Sequence, residues 1–295
     1  MQHFLDLANL TAEDIQKLLD NAVALKAELR KGGSGSILKG KVLGMIFEKP
    51  SLRTRISFEV AMLQLGGHAL YISPAEIGLG TRESVADIAR VLSRYVDGIM
   101  ARTFSHDHIV ELAKYATVPV VNGLSDYNHP CQGLADLLTI HEKKGKLQGL
   151  KLAYVGDGNN VARTLLIGAS KMGIQIAIAS PSGYSLSKEG QTSEVEFTDD
   201  PAAAVQGADI IYTDTWASMG QEDEAEERKK IFMPYQVNSE LVARAKSDAI
   251  IMHCLPAHRG QEITDEVMDS TQSVVFDQAE NRLHAQKAIL ASLLH

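Results

Sequence analysis

Ser51, Arg53, Thr54 and Arg55 lie within the segment FEKPSLRTRISFE, between a short apolar run and a helical pattern. That placement sets hydroxyls and guanidinium forks around a helix N-terminus, where free backbone N–H groups already favour an anion, and the combination suits a phosphate. The plainer reading is an N-capping serine with solvent-facing arginines. In DYNHPCQ, His129 and Gln132 fall in a strand-to-helix connection, where open α/β sheets place ligand contacts. His129 there is either a loop-stabilising residue or a donor to a carbonyl oxygen that gains negative charge. Cys131 is either a nucleophile or a small packing residue.

Three further segments carry polar groups at the ends of apolar runs. GDGNNVA follows KLAYV and superficially resembles a dinucleotide fingerprint, but it has only Gly156 and Gly158, and the next strand ends in Ser180 where an acidic residue is expected. Asn159 and Asn160 are instead neutral amides suited to a zwitterion, or they simply shape a turn. TDTWASMGQEDE puts Asp214 at a strand end, where a carboxylate can pair with an ammonium, and Gly220 would let the following loop move as a lid or serve an ordinary surface connection. HCLPAHRG brings Cys254 and Leu255 to another strand end.

The elements that must position these residues follow from hydrophobic periodicity. TAEDIQKLLDNAVALKAELR reads as an amphipathic helix with Thr11 as N-cap and Asp14 three residues later, and GGSGS at 32–36 as a surface loop. Strand-like KVLGMIF, HALYIS, DGIMAR and VPVVN then alternate with helical patterns. A second series, KLAYV, IQIAIAS, ADIIYTD, DAIIMHC and SVVF, follows a break near 145–150, and a C-terminal helix covers AENRLHAQKAILASLL. Such alternation implies right-handed crossovers and parallel sheets. The fold class is α/β: two Rossmann-like three-layer α/β/α domains, 1–147 and 148–276, each with a central parallel sheet, and an active site expected in the cleft between them. The terminal helix, 277–295, is expected to pack back on the first domain. EDEAEERKK at 222–230 reads as a solvated helix face.

Composition narrows the class. Of 295 residues, 45% are hydrophobic and 22% charged, enough for sizeable cores, and the net charge of −8 argues against a general nucleic-acid or anionic-membrane binder. The two cysteines, Cys131 and Cys254, give neither a disulfide framework nor a zinc-ligand spacing, which fits a reducing, cytoplasmic setting. Neither a signal sequence nor a membrane span is evident.

Taken in order, S-L-R-T-R, H-P-C-Q, D-T-W-x-S-M-G and H-C-L-P resemble the ornithine carbamoyltransferases, over nearly the whole chain. The first two motifs are shared with the wider family that includes aspartate carbamoyltransferase; the last two point to ornithine. The resemblance implies a reaction in which ornithine's δ-amine takes the carbamoyl group of carbamoyl phosphate, giving citrulline and phosphate in arginine biosynthesis. It implies no metal or organic cofactor, a cytoplasmic protein, and a homotrimer or multiple of trimers.

By the same resemblance, Ser51, Leu52, Arg53 and Thr54 form the carbamoyl phosphate loop, joined by Arg102, His129, Gln132 and Arg282. Thr54, Arg102 and His129 would polarise the carbonyl oxygen. Asn160, Asp214, Ser218 and Met219 match ornithine-binding positions, with Asp214 taking the α-ammonium. Cys254 and Leu255 match residues beside the reacting amine that also contact carbamoyl phosphate, and no cysteinyl intermediate is implied. The chain departs from the family pattern in having Leu52 where threonine is more common, and Gly78 where a Gln or His often serves the neighbouring subunit; Thr81 or Arg82 is the nearest substitute. The connection SPSGYSLSKEGQTSEVEF is also shorter than usual. Rival readings are transfer to acetylornithine or putrescine, a non-catalytic carbamoyl phosphate-binding protein, and a nucleotide-binding dehydrogenase.

Overall fold

The computed structural model describes residues 1–33, 35–186, 195–217 and 222–295. It divides into two compact units, Met1–Leu138 with Glu280–His295, and Thr139–Ala279. Each is a parallel β-sheet flanked by helices.

In the first unit, helix α1 (Ala12–Arg30) opens with a reciprocal cap. Thr11 Oγ1 accepts from the Asp14 N–H at 3.1 Å, and Asp14 Oδ2 accepts from the Thr11 N–H at 3.0 Å. Then come β1 (Val42–Phe47), α2 (Leu52–Gln64), β2 (His68–Ile72), α3 (Pro74–Ile77), α4 (Val85–Leu92), β3 (Gly98–Arg102), α5 (His106–Tyr115), β4 (Val120–Leu124) and α6 (Pro130–Lys144). The sheet order is β2-β1-β3-β4, all parallel. Order reverses between β1 and β3, so the carboxyl ends of these two strands bound the crevice that such sheets offer to ligands. Their register pairs Phe47 with Arg102, which aligns the strand ends. Every residue of β3 is buried, as expected of a central parallel strand.

The second unit contains β5 (Lys151–Val155), α7 (Asn160–Lys171), β6 (Gln175–Ala179), β7 (Val195–Thr198), α8 (Pro201–Val205), β8 (Ile210–Thr213), α9 (Ala225–Phe232), α10 (Ser239–Val242), β9 (Ile250–His253) and α11 (Asp265–Met268). Its sheet order is β7-β6-β5-β8-β9, again parallel, with the reversal between β5 and β8. Val155 pairs with Thr213, so Gly156 and Asp214 leave the sheet side by side. The last helix, α12 (Val275–Leu294), contributes residues to both units, as does α6. Within the first unit, Lys26 of α1 donates to Asn281 at 2.7 Å. Leu294 comes so close to β3 that a Cβ at Gly98 would lie 2.8 Å from its Cδ2.

Two segments differ from the reading of the sequence. SVVF is not a strand: Ser273 makes an isolated bridge with Ile251 and α12 begins at Val275, because a short apolar run carries no period that separates a strand from a helix start. VEFT, treated above as part of a connection, is the edge strand β7, with Phe197 opposite Ile178. None of the helices searched among the described residues is long and apolar enough to cross a membrane.

Candidate functional site

In the first unit, Ser51 caps α2 with extended backbone (φ −159°), and its Oγ accepts from the Thr54 N–H at 3.3 Å. The cap holds the first turn of α2 at the end of β1, beside Arg102 at the end of β3, and turns Thr54 inward to 1% exposure. Arg282 of α12 joins the cluster: one Nη donates to Gln132 Oε1 at 2.8 Å and the other to Thr54 Oγ1 at 3.3 Å. Gln132 Nε2 in turn donates to the buried Asp136 carboxylate at 2.8 Å, which fixes the amide orientation that faces Arg282.

Arg102, His129, Gln132 and Arg282 are all buried. Burial, then the charges of Arg282 and Arg102, push the His129 pKa well below its ordinary value, so the imidazole is neutral and keeps one N–H to donate. The forks of two buried guanidiniums match the oxygens of a phosphate dianion.

Gln132 does not lie in a connection as expected. Pro130 takes the first helical position, where its missing N–H costs nothing, and puts Gln132 in the first turn of α6. Leu52 and Arg53 are exposed, and Arg55 pairs with Glu59 at 2.9 Å and covers the Tyr71 ring at 4.2 Å. Cys131 is fully buried and donates to the Asn122 carbonyl. Burial pushes its thiol up to about 12 against the pull of Arg282, which leaves packing as its role. Gly78 sits in the left-handed region (φ 49°), and Thr81 and Arg82 donate to the carbonyls of Gly78 and Glu76 within their own loop.

In the second unit the turn after β5 meets the end of β8. Asn159 caps α7, its Oδ1 accepting from the N–H groups of Val161 and Ala162, while its Nδ2 donates to Asp214 Oδ2 at 2.8 Å. Asp214 Oδ1 accepts from the Thr215 N–H at 2.8 Å and from Cys254 Sγ at 3.0 Å. The carboxylate is thus oriented on both oxygens. Asn160 opens α7, half-buried, with its carbonyl accepting from the Thr164 hydroxyl. Ser218, Met219 and Gly220 lie outside the described residues.

The loop after β9 carries Cys254 and Leu255. Leu255 has φ 59°, a region costly for a side chain with a Cβ, and its N–H donates to His253 Nδ1 at 2.9 Å. His253 Nε2 lies 3.1 Å from Glu262 Oε1, and both side chains are wholly buried. This pairing selects the tautomer with the proton on Nε2 and aims the Cys254–Leu255 backbone. The donor atoms of Asp214, His253 and Cys254 lie within 4.8 Å of one another, but both His253 ring nitrogens are engaged in this network. His253, Glu262 and Asp136 were missed by sequence reasoning, which had singled out Asn159 together with Asn160. His253 stands inside a motif it singled out, whereas nothing in the pattern marks Glu262 or Asp136.

In the charged run 222–230, Asp223, Glu224, Glu226, Glu227 and Lys230 are exposed as expected, and Arg228 is the departure. Arg228 is 7% exposed, not solvated: its Nε donates to Glu224 at 3.0 Å, and Nη1 to the Trp216 carbonyl at 2.8 Å and to Asp157 at 3.2 Å. Its guanidinium also lies over the Tyr184 ring at 4.9 Å.

The chain matches two family models: residues 2–142 the carbamoyl-P binding domain of aspartate/ornithine carbamoyltransferase, and residues 148–293 its Asp/Orn binding domain. A relative named ornithine carbamoyltransferase, from Carboxydothermus hydrogenoformans, is 58% identical, covering 99% of this chain and 97% of its own. The Pyrococcus furiosus protein named "Ornithine carbamoyltransferase, anabolic" is 56% identical over 98% of this chain and 95% of its own. A solved structure of the Pyrococcus furiosus ornithine carbamoyltransferase superimposes with a TM-score of 0.96, covering 99% of this chain and 97% of that one. An N-acetyl-L-ornithine transcarbamylase superimposes with a TM-score of 0.88 at 32% identity, covering 99% and 100% of the two chains.

Proposed function

The chain belongs to the aspartate/ornithine carbamoyltransferase family, and from that premise we propose that it transfers the carbamoyl group of carbamoyl phosphate to the δ-amine of L-ornithine. The observation that carries this reading is 58% identity to a relative named ornithine carbamoyltransferase, sustained over 99% of the chain. The name of the Pyrococcus furiosus relative supports a role in arginine biosynthesis.

In this reading the buried arginines hold the phosphate. Arg102 and Arg282 neutralise it, Arg53 approaches from the solvent side, and Ser51, Leu52 and Thr54 present the first-turn amides of α2. Thr54, Arg102 and neutral His129 aim donors at the carbonyl oxygen, and Gln132 keeps Arg282 in register. Asp214 takes the α-ammonium of ornithine and Asn160 its polar backbone groups, with Ser218 and Met219 as further contacts. Cys254 and Leu255 border the δ-amine and the carbamoyl group. The ammonium releases one proton to solvent, the lone pair of the neutral amine attacks the carbonyl carbon, and the tetrahedral oxyanion collapses as the C–O bond to phosphate breaks, the second amine proton leaving with the phosphate, so that citrulline remains.

Assembly as a homotrimer is supported by an apolar stripe left exposed on the first unit. Leu52, Ile56 and Leu63 share one face of α2 at 75%, 47% and 69% exposure, and Leu70 on edge strand β2 is 52% exposed. Light scattering should give a particle of three 32.0 kDa chains. Cytoplasmic residence is supported by two free cysteines, a state that a reducing compartment maintains.

A second reading, acetylornithine as acceptor, is favoured by the superposition on an N-acetyl-L-ornithine transcarbamylase. Assays of phosphate release and of the ureido product with carbamoyl phosphate and ornithine, acetylornithine, putrescine or aspartate decide between them. Turnover with ornithine alone is expected. Turnover with acetylornithine alone would move the assignment to that branch, and no turnover would leave a carbamoyl phosphate-binding protein.

A further inference from the structure

Two strand ends in the second unit are tied at two points. Asn159 in the turn after β5 donates to Asp214 at 2.8 Å, and two residues earlier in the same turn Asp157 pairs with Arg228 at 3.2 Å. Arg228 Nη1 donates in turn to the Trp216 carbonyl at 2.8 Å, two residues beyond Asp214. The segment Asp214–Trp216 is therefore held to the β5 turn at each end, one tie through an amide and the other through an ion pair. Trp216 is 2% exposed and stacks on Phe232 at 5.9 Å, which fixes the carbonyl that Arg228 reads.

We propose that Asp157 and Arg228 are positioning residues for the acceptor substrate, whose ion pair braces the Asp214–Trp216 segment and so holds the Asp214 carboxylate where the ammonium of the acceptor meets it. The inference rests on the carbamoyl-transfer reading and adds to it two residues outside the motifs that carry the resemblance. Geometry sets its reach: Arg228 belongs to α9 and Asp157 to the β5 turn, so the pair joins elements that sequence separates by about 70 residues.

The brace is also sensitive to protons. Burial pushes the Asp157 carboxyl up to about 6 against the pull of Arg228, and the negative charges of Asp214 and Glu224 add to the rise. Burial opposes the charge of Arg228, but Glu224 and Asp157 outweigh it and raise its pKa. Tyr154, whose hydroxyl donates to the Asp157 carbonyl at 2.8 Å, has its own pKa pushed well above the ordinary value by burial and by Asp214, Asp157 and Cys254, so it stays neutral. Protonation of Asp157 thus removes one partner of Arg228 while Glu224 and the Trp216 carbonyl remain. The second tie loosens below about pH 6.

The test is steady-state kinetics of citrulline formation from pH 5 to 9 for the wild-type protein, Asp157→Asn and Arg228→Lys. In the wild type, kcat/KM for ornithine should rise through an inflection near pH 6 that kcat/KM for carbamoyl phosphate lacks. Asp157→Asn should raise the ornithine KM at pH 8 by about tenfold, leave the carbamoyl phosphate KM within about twofold, and abolish the inflection. Arg228→Lys keeps the charge but cannot donate to all three acceptors, and should raise the ornithine KM by about threefold. If Asp157→Asn does not fold, the Arg228→Lys split decides. The brace is overturned if the wild type lacks the inflection, if Asp157→Asn keeps it, or if both KM values rise together in the variants. Failure of the wild type to make citrulline from ornithine would overturn the carbamoyl-transfer reading and the brace with it.

Discussion

Arg282 reaches Thr54 across 228 positions of sequence, its guanidinium 3.3 Å from the threonine hydroxyl. The contact joins the last helix to the first turn of α2, and the same guanidinium holds Gln132 at the start of α6. Three helices that share no sequence neighbourhood thus present donors to one place at the switch point of the first sheet. A guanidinium held in place by a buried hydroxyl and a buried amide is oriented before any ligand arrives, which suits it to a planar, forked contact with an anion.

Arg282→Met should therefore act on one substrate. It removes charge-assisted contacts worth about 1.5–3 kcal/mol, so the carbamoyl phosphate KM should rise by roughly 10- to 150-fold while the ornithine KM changes by less than about twofold. Initial rates with each substrate varied at saturation of the other check this. Equal rises in both constants would remove Arg282 from the phosphate site.

His129 gives a stability prediction with a definite sign. Its folded pKa is depressed by burial, Arg282 and Arg102, so the unfolded chain takes up a proton near pH 6.5 that the folded one refuses. The stability this neutral histidine leaves intact is fully present above pH 6.5 and is lost as the pH falls toward its lowered folded pKa. His3, His106 and His284, also lowered by burial, push the same way and are common to any variant pair. The fall of Tm between pH 7 and 5 should be shallower in His129→Asn than in the wild type. An equal slope in both would show that His129 titrates normally.

The alternation of strands and helices was legible because parallel βαβ units write a period into the chain, and the four strand-end motifs stood out because polar groups there interrupt apolar runs. What was not legible depends on distance. Asn159 and Asn160 were singled out together with no sign of which one meets the carboxylate; the amide touching Asp214 is that of Asn159, because Asn159 takes the cap of α7 and turns its Nδ2 across the strand ends. Arg228 sat in a run of charges that local pattern assigns to solvent. Only the fold shows that Asp157 and the Trp216 carbonyl face it. Glu262 carries no local sign of being the buried partner of His253.

The two thiols should react very differently. Cys131 is fully buried, with its pKa at about 12, whereas Cys254 is only half-buried, beside Asp214. Iodoacetamide at pH 8, followed by peptide mapping, should modify Cys254 at least about tenfold faster than Cys131 and abolish turnover as it does so. Labelling of Cys131 in the folded protein at a comparable rate would contradict its burial.

The resemblance in the sequence puts Gly78 at a position expected to carry Gln or His, and the loop around it is built for glycine. Its φ is 49°, and a Cβ would lie 2.7 Å from the Cβ of Arg82, a backbone-proximal atom that cannot swing away. Gly78→Gln therefore has to strain the left-handed turn or displace Arg82 from the Glu76 carbonyl it now holds. The cost should be about 1–2 kcal/mol, a fall in Tm of roughly 2–8 °C, with no gain in kcat/KM for either substrate. Calorimetry and initial rates on the same preparation check both halves. Higher turnover at an unchanged Tm would mean that the loop accommodates the side chain after all, and that the family's usual donor was lost here without a structural reason.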